Sequence, residues 1–138
     1  MQNNTAADYI RANFQPEDRL AIVLIQKSCG TVTQRISTAD RIASEDGQTW
    51  LHHVNSERKT DVYISMNVLS PDAHGRTKAD VAEIRHVYLD IDKDARSVIR
   101  ELRNRTDVPT PNHIIESSPG KYQAIWRVEQ FEKDQAEP

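Results

Sequence analysis

The chain has 138 residues, 37 % hydrophobic and 28 % charged, with a formal net charge of −3. That length suits one domain with a real core and not comfortably two. The longest apolar run, Leu20 to Ile25, is far too short to span a bilayer, so no membrane partner is expected. Cys29 is the only cysteine. It excludes an internal disulfide framework and a multi-cysteine zinc site, and it points to a reducing, cytoplasmic setting. Met1 to Ala7 is polar and uncharged, unlike the basic start and apolar core of a signal peptide.

Residues 1–16 read as a weak N-terminal helix anchored by Tyr9, Ile10 and Phe14 and ended by Pro16. Leu20–Ile25 reads as a strand buried on both faces. Gly30 marks a turn, and residues 31–36 alternate and are rich in β-branched side chains, so the two runs form a hairpin. Residues 38–44 are ambiguous. Residues 48–57 read as a helix with Trp50, Leu51 and Val54 on its apolar side. Residues 61–67 read as a strand, with Val62, Ile64 and Met66 on one face and Tyr63, Ser65 and Asn67 on the other.

A loop follows at 70–75. Thr77-x-x-Asp80 is a capping box, and it predicts a short helix carrying Val81 and Ile84. His86-Val-Tyr-Leu-Asp-Ile-Asp92 is a strand, with His86, Tyr88, Asp90 and Asp92 sharing one face. Asp94 is expected to cap a helix to about Arg105. There Val98, Ile99 and Leu102 share one side, and Arg96, Arg100 and Arg103 cluster beside it. Residues 113–118 and 122–128 form a hairpin around Ser118-Pro-Gly-Lys121, and a tail from Glu129 is helical or frayed. Strand pairs mixed with helix crossovers predict a single α/β (α+β) domain. Its sheet is mixed and largely antiparallel, with helices over one face.

Asp is a poor strand residue, so Asp90 and Asp92 at the end of an apolar strand need a reason. Residues i and i+2 stand roughly 6.6 Å apart, which lets both carboxylates reach one hard divalent cation or a close pair. The pattern also fits a strand running out into a solvated turn through Lys93 and Asp94. Neighbouring rows bear on the choice. The last strand aligns Lys121, Gln123 and Arg127, interrupted by Ile125, and the turn Ser117-Ser118-Pro119-Gly120-Lys121 offers small residues, backbone N–H groups and a cation. Acids on one strand beside cations and amides on another are a metal-plus-phosphate composition. From Arg76 to Arg105 eight basic residues face six acidic ones, whereas the last ten residues carry −3 and residues 1–128 sum to zero. A mildly basic middle around a local acidic pair suits a polyanion met through metal ions.

Taken together, Tyr63-Ile-Ser-Met-Asn67, Arg76-Thr-Lys-Ala-Asp80, Tyr88-Leu-Asp-Ile-Asp92, Ile115-Glu-Ser-Ser-Pro-Gly-Lys-Tyr-Gln123 and Trp126 resemble the RepB-like DNA primase domain of plasmid and phage replication proteins. That family is a branch of the archaeo-eukaryotic primase superfamily. The resemblance covers roughly residues 20–128, between an N-terminal helical segment at 1–19 and an acidic tail at 129–138. It implies a nucleotidyltransferase that synthesises primers with Mg²⁺ or Mn²⁺ held by Asp90 and Asp92. It further implies that Ser117, Ser118, Lys121 and Gln123 meet the phosphates of a nucleoside triphosphate. Gln123 stands where many members have His, and a neutral amide donates hydrogen bonds but carries no charge.

The family's third motif, an acid before an Arg-x-Pro-Gly-like stretch, is not found, and the third metal ligand is expected beyond Pro138. Implied partners are a single-stranded DNA template and a replicative helicase, fused or separate. Arg96, Arg100 and Arg103 are candidates for template contact, and His86, Tyr88 and Asn67 for positions near the site. A second reading stays open, in which the domain binds single-stranded nucleic acid or a replication partner without catalysis. A haloacid-dehalogenase phosphatase is disfavoured because Lys93 follows Asp92 and the motif lies two-thirds along the chain. A rolling-circle initiator is disfavoured because His52 and His53 are adjacent.

Overall fold

A computed structural model describes residues 5–131 of the chain. The chain forms two compact units, residues 1–83 and 84–138. Among the described residues every strand pairing is antiparallel, so the expected α+β class holds, with antiparallel rather than mixed pairings. Among the described residues no helix is long and apolar enough to cross a membrane.

The first unit is built on β1 (Arg19–Gln26), the apolar run, whose residues 20–24 are all buried. One edge of β1 pairs with β2 (Val32–Thr38) as the expected hairpin. The other edge takes β3 (Thr60–Ile64) and β4 (Val68–Leu69). Alternation divides the core. Leu20, Ile22 and Leu24 pack with α1 (Ala6–Asn13), α2 (Ala39–Ala43) and α3 (Glu45–Ser56), while Ala21 packs with Leu69 and Ala73.

Helix α1 starts at a reciprocal capping box: Thr5 Oγ1 accepts from the Asp8 N–H at 3.2 Å, and Asp8 Oδ2 accepts from the Thr5 N–H at 3.0 Å. The ambiguous 38–44 stretch is α2, capped by Thr38. Ser44 both ends α2, donating to the Arg41 carbonyl at 2.6 Å, and caps α3, accepting from the Gly47 N–H at 3.1 Å. That shared cap starts α3 three residues earlier than its apolar stripe suggests.

Three expectations are corrected. The strand predicted over 61–67 stops at Ile64, because Ser65 turns back onto β1: its hydroxyl accepts from the Ala21 N–H at 2.8 Å and its own N–H donates to the Ala21 carbonyl at 2.9 Å. Asn67 lies in the bend before β4 and does not continue a polar row. The helix predicted after Thr77 is a single 3₁₀ turn, Lys78–Asp80. The capping box is there, with Asp80 Oδ2 accepting from the Thr77 N–H at 2.9 Å. Val81 and Glu83 nevertheless pair with Leu69 and Val68, so the chain leaves the turn directly as strand β5 (Val81–Ile91).

In the second unit the strands are ordered β5–β7–β6, where β6 is His113–Ser118 and β7 is Lys121–Phe131. The third correction falls here: Glu129 belongs to β7 and is not helical, and residues 132–138 of the expected tail lie outside the described residues. Helix α4 (Ala95–Asn104) lays Val98, Ile99 and Leu102 against Ile91, Tyr122, Ala124 and Trp126. Asp94 precedes α4 as expected, but in the left-handed conformation (φ 52°, ψ 37°) with no capping hydrogen bond from its side chain. Asp tolerates that region better than most residues, and its carbonyl accepts from the Val98 N–H at 3.0 Å.

Gly47 sits where α2 and α3 touch. A Cβ there would collide with the Arg41 carbonyl oxygen and lie 2.8 Å from that of Ile42, both backbone atoms that cannot swing aside. Gly47→Ala is therefore expected to destabilise the protein by about 1–3 kcal/mol, read as a lowered denaturant midpoint. A neutral result would mean that the α2–α3 junction is looser than its contacts imply.

Candidate active site on the second unit

The β5–β7–β6 ladder sorts the predicted residues by parity. Residues directly opposite each other in an antiparallel pair share a face. One face therefore carries the row Asp90–Gln123–Ile115, the row Tyr88–Ile125–His113 and the pair His86–Arg127. The opposite face carries Ile91–Tyr122–Glu116 and Leu89–Ala124–Ile114, and it is the face against which α4 packs.

Asp90 and Gln123 are joined directly: Gln123 Nε2 donates to Asp90 Oδ1 at 3.0 Å. Asp90 is exposed, and Asp92, also exposed, follows the last ladder pair, Ile91–Tyr122. Lys121 precedes Gln123 by two and shares its parity. The turn is a two-residue loop, Pro119-Gly120, with Ser118 opposite Lys121. Gly120 has φ +77°, a backbone conformation that side chains with a Cβ rarely adopt, so this position requires glycine. A register shift between Glu116 and Ser118 leaves Ser117 as an extra residue, and its hydroxyl donates to the Lys121 carbonyl at 3.3 Å. Ser117 is thus committed to the turn's own backbone.

Other predicted positions separate. His86 shares the acid parity but is only 1 % exposed, so it cannot present its ring to solvent beside Asp90. Tyr88 is 55 % exposed on the acid face, in the row next to Asp90. Arg96, Arg100 and Arg103 stand on α4, on the other side of the ladder from Asp90. Asn67 belongs to the first unit.

His113 and Ile115 also stand on the acid face. Their signal was parity across β6, readable only once the turn fixes the register. His113 is half-buried; burial, and then the positive charge of Arg127, hold its imidazole below the ordinary value. Asp90 and Asp92 are the carboxylates at this end of the ladder with the chemistry to suit a hard divalent cation. Both offer oxygen donors in the open, the chemistry Mg²⁺ and Mn²⁺ prefer. Among the described residues no cluster of three His, Cys, Asp or Glu side chains is placed to hold a metal.

This is an antiparallel α+β domain with an acid-and-amide pair on an open sheet face. Two solved structures share the fold: the catalytic domain of primase RepB' in complex with initiator DNA, and primase RepB'. Each is 19 % identical to this chain with a TM-score of 0.56 over 88 % of it. The matches cover 55 % and 36 % of those chains, so the present chain spans about half the length of the first. The model of the RepB DNA-primase N-terminal domain matches residues 27–138. The chain belongs to that family. No curated protein sequence matches it.

Two outcomes follow from this geometry. Gln123→Glu sets a second carboxylate against Asp90, and like charges directly opposite are destabilising. The variant should melt lower than wild type at neutral pH and recover as pH falls through the carboxylate range; equal melting at pH 7 would mean that the pair does not persist in solution. His113 binds a proton less readily folded than unfolded, so stability should decline as pH falls below about 6.5. His113→Asn should flatten that decline in a pH series of melting curves, and an unchanged slope would assign it elsewhere.

Proposed function

We propose that this chain is a primase-type nucleotidyltransferase domain that acts in plasmid or phage DNA replication, with its catalytic core within residues 20–128. The observation that carries the reading is the Asp90–Gln123 contact. It ties the acid strand to the turn-bearing strand on one open face, in a chain of the RepB primase family. In this reading Asp90 and Asp92 hold Mg²⁺ or Mn²⁺. Bound there, the cation would lower the pKa of the attacking 3′-hydroxyl and neutralise charge on the departing pyrophosphate.

The chain's own residues do the positioning. Lys121 places a cation beside the acids, where it would draw in the triphosphate and offset its charge. Gln123 donates one amide proton to Asp90, which orients that carboxylate, and has a second to offer a phosphate oxygen. Gly120 lets the turn's backbone approach an anion, and Ser118 lies at its rim opposite Lys121. Tyr88 and Ile115 flank the pair with exposed apolar surface against which a base or sugar can rest. The partners in this reading are nucleoside triphosphates, a single-stranded DNA template and a replicative helicase; the solved RepB' catalytic domain is itself bound to initiator DNA.

The lack of a third acidic ligand among the described residues favours a second reading, a domain that binds single-stranded nucleic acid without catalysis. Metal titration separates the two. Mn²⁺ binding that disappears in Asp90→Asn, together with loss of metal-dependent nucleotide incorporation in Asp90→Ala and Asp92→Ala of the full-length protein, is the expected result. Incorporation unchanged in both alanine variants would overturn the catalytic reading.

A further inference from the structure

The three arginines that lie away from the acids line a cavity of their own. Arg96, Arg100 and Arg103, with Asn104, border a groove of about 540 Å³ whose other wall includes Ile114 and Tyr122. Parity places it on the α4 side of the ladder, because Tyr122 opposes Ile91 and Glu116 while Asp90 opposes Gln123. Among the described residues no carboxylate forms an ion pair with these three guanidiniums, and all three are exposed. Glu116, which touches the Tyr122 wall, is already engaged: it accepts from the Tyr122 hydroxyl at 2.8 Å, and that bond pushes the phenol above its ordinary value.

We propose that this groove is a second nucleic-acid site, which holds a single-stranded segment by its phosphates on the face of the sheet opposite the acids. It deepens the reading above and rests on it only for the ligand being nucleic acid. The spacing fits. Positions i, i+4 and i+7 of a helix span about 10.5 Å at ~1.5 Å per residue. A stacked strand advances about 3.4 Å per nucleotide, so three guanidiniums cover about three phosphates. Arginine suits the task, since its planar fork grips phosphate oxygens in pairs and also stacks on bases. Ile114 and Tyr122 supply an apolar and aromatic wall on which a base can lie, the other half of single-strand recognition. A duplex keeps its bases stacked inward and would leave that wall unused. The arginines therefore do not serve the acid site; a strand held by them runs behind it.

The test is fluorescence anisotropy with a labelled thymidylate dodecamer and the 138-residue chain, in chelator. Single strands lose about 0.7 in log K per log salt for each phosphate neutralised. The triple variant Arg96→Ala/Arg100→Ala/Arg103→Ala should bind on the order of tenfold more weakly, with a salt slope shallower by about 2. The triple lysine variant keeps the charge and should retain most of the slope. All three side chains are exposed, and coincident melting curves check folding. A dodecamer carrying 5-iodouracil should crosslink at Tyr122 in the groove. Unchanged affinity and slope, crosslinking at Tyr88 on the acid face instead, or equal dependence on the arginines for a hairpin duplex would each overturn the proposal. Because chelator removes divalent-metal chemistry, a negative result here leaves the nucleotide-transfer reading standing, and inactive or active Asp90 variants leave this one untouched.

Discussion

The register between β5 and β7 is the constraint on which the second unit depends. Side chains alternate with period two, so a slip of one residue would send Asp90 to the α4 face and Ile91 to the open one. One feature pins this register, and another pins β6 against β7. Ile91 is 3 % exposed and Ala124 is completely buried under α4, so apolar burial penalises the slip. At the other end the two-residue turn with Gly120 in a positive-φ conformation fixes which residues of β6 and β7 oppose each other. The Asp90–Gln123 hydrogen bond is a consequence of the first of these anchors. An exposed bond of that kind contributes about 1 kcal/mol or less and could not set the register alone.

The first unit solves a different problem with the same alternation. β1 buries both faces, so its even positions meet three helices and Ala21 meets Leu69 and Ala73. Ser44 joins α2 to α3 without a loop, and the close approach there admits only glycine at position 47. The cation of Arg35 over the Trp50 ring, 4.8 Å from its centroid, lays a charged side chain across the sheet-to-helix layer without burying the charge.

Much of this was legible in the sequence. The β1–β2 hairpin, the acid strand, the arginine helix and the Ser-Pro-Gly-Lys hairpin follow from periodicity and turn chemistry, because in each the local preference and the packing agree. The misreadings come where they conflict. Thr77-x-x-Asp80 forms its capping box, yet three residues cannot repay helix nucleation once Val81 and Glu83 find β4. Ser65 and Asn67 keep the strand's alternating polarity, but the Ser65 hydroxyl takes the Ala21 N–H in place of a ladder carbonyl, and the strand ends there. The burial of His86 was invisible because alternation assigns a face and not a depth. The site was legible as far as Asp90, Lys121 and Gln123 sharing chemistry; that Asp90 and Gln123 touch required the register, which no single strand encodes.

The same register decides what the arginines can do. On a helical wheel Arg96, Arg100 and Arg103 look like an arm reaching for whatever the acids hold. Yet α4 can bury Val98, Ile99 and Leu102 only against the parity class that contains Ile91, Tyr122 and Ala124. The residue that gives α4 its seat, Ile91, is the neighbour of the acid that gives the open face its chemistry. Adjacent residues of one strand thus set Asp90 and the three α4 arginines on opposite faces. That separation suits the proposed handling of a polyanion. Set beside Asp90, those three guanidiniums would pair with it and neutralise the carboxylate, whereas on the α4 face no carboxylate among the described residues forms an ion pair with them.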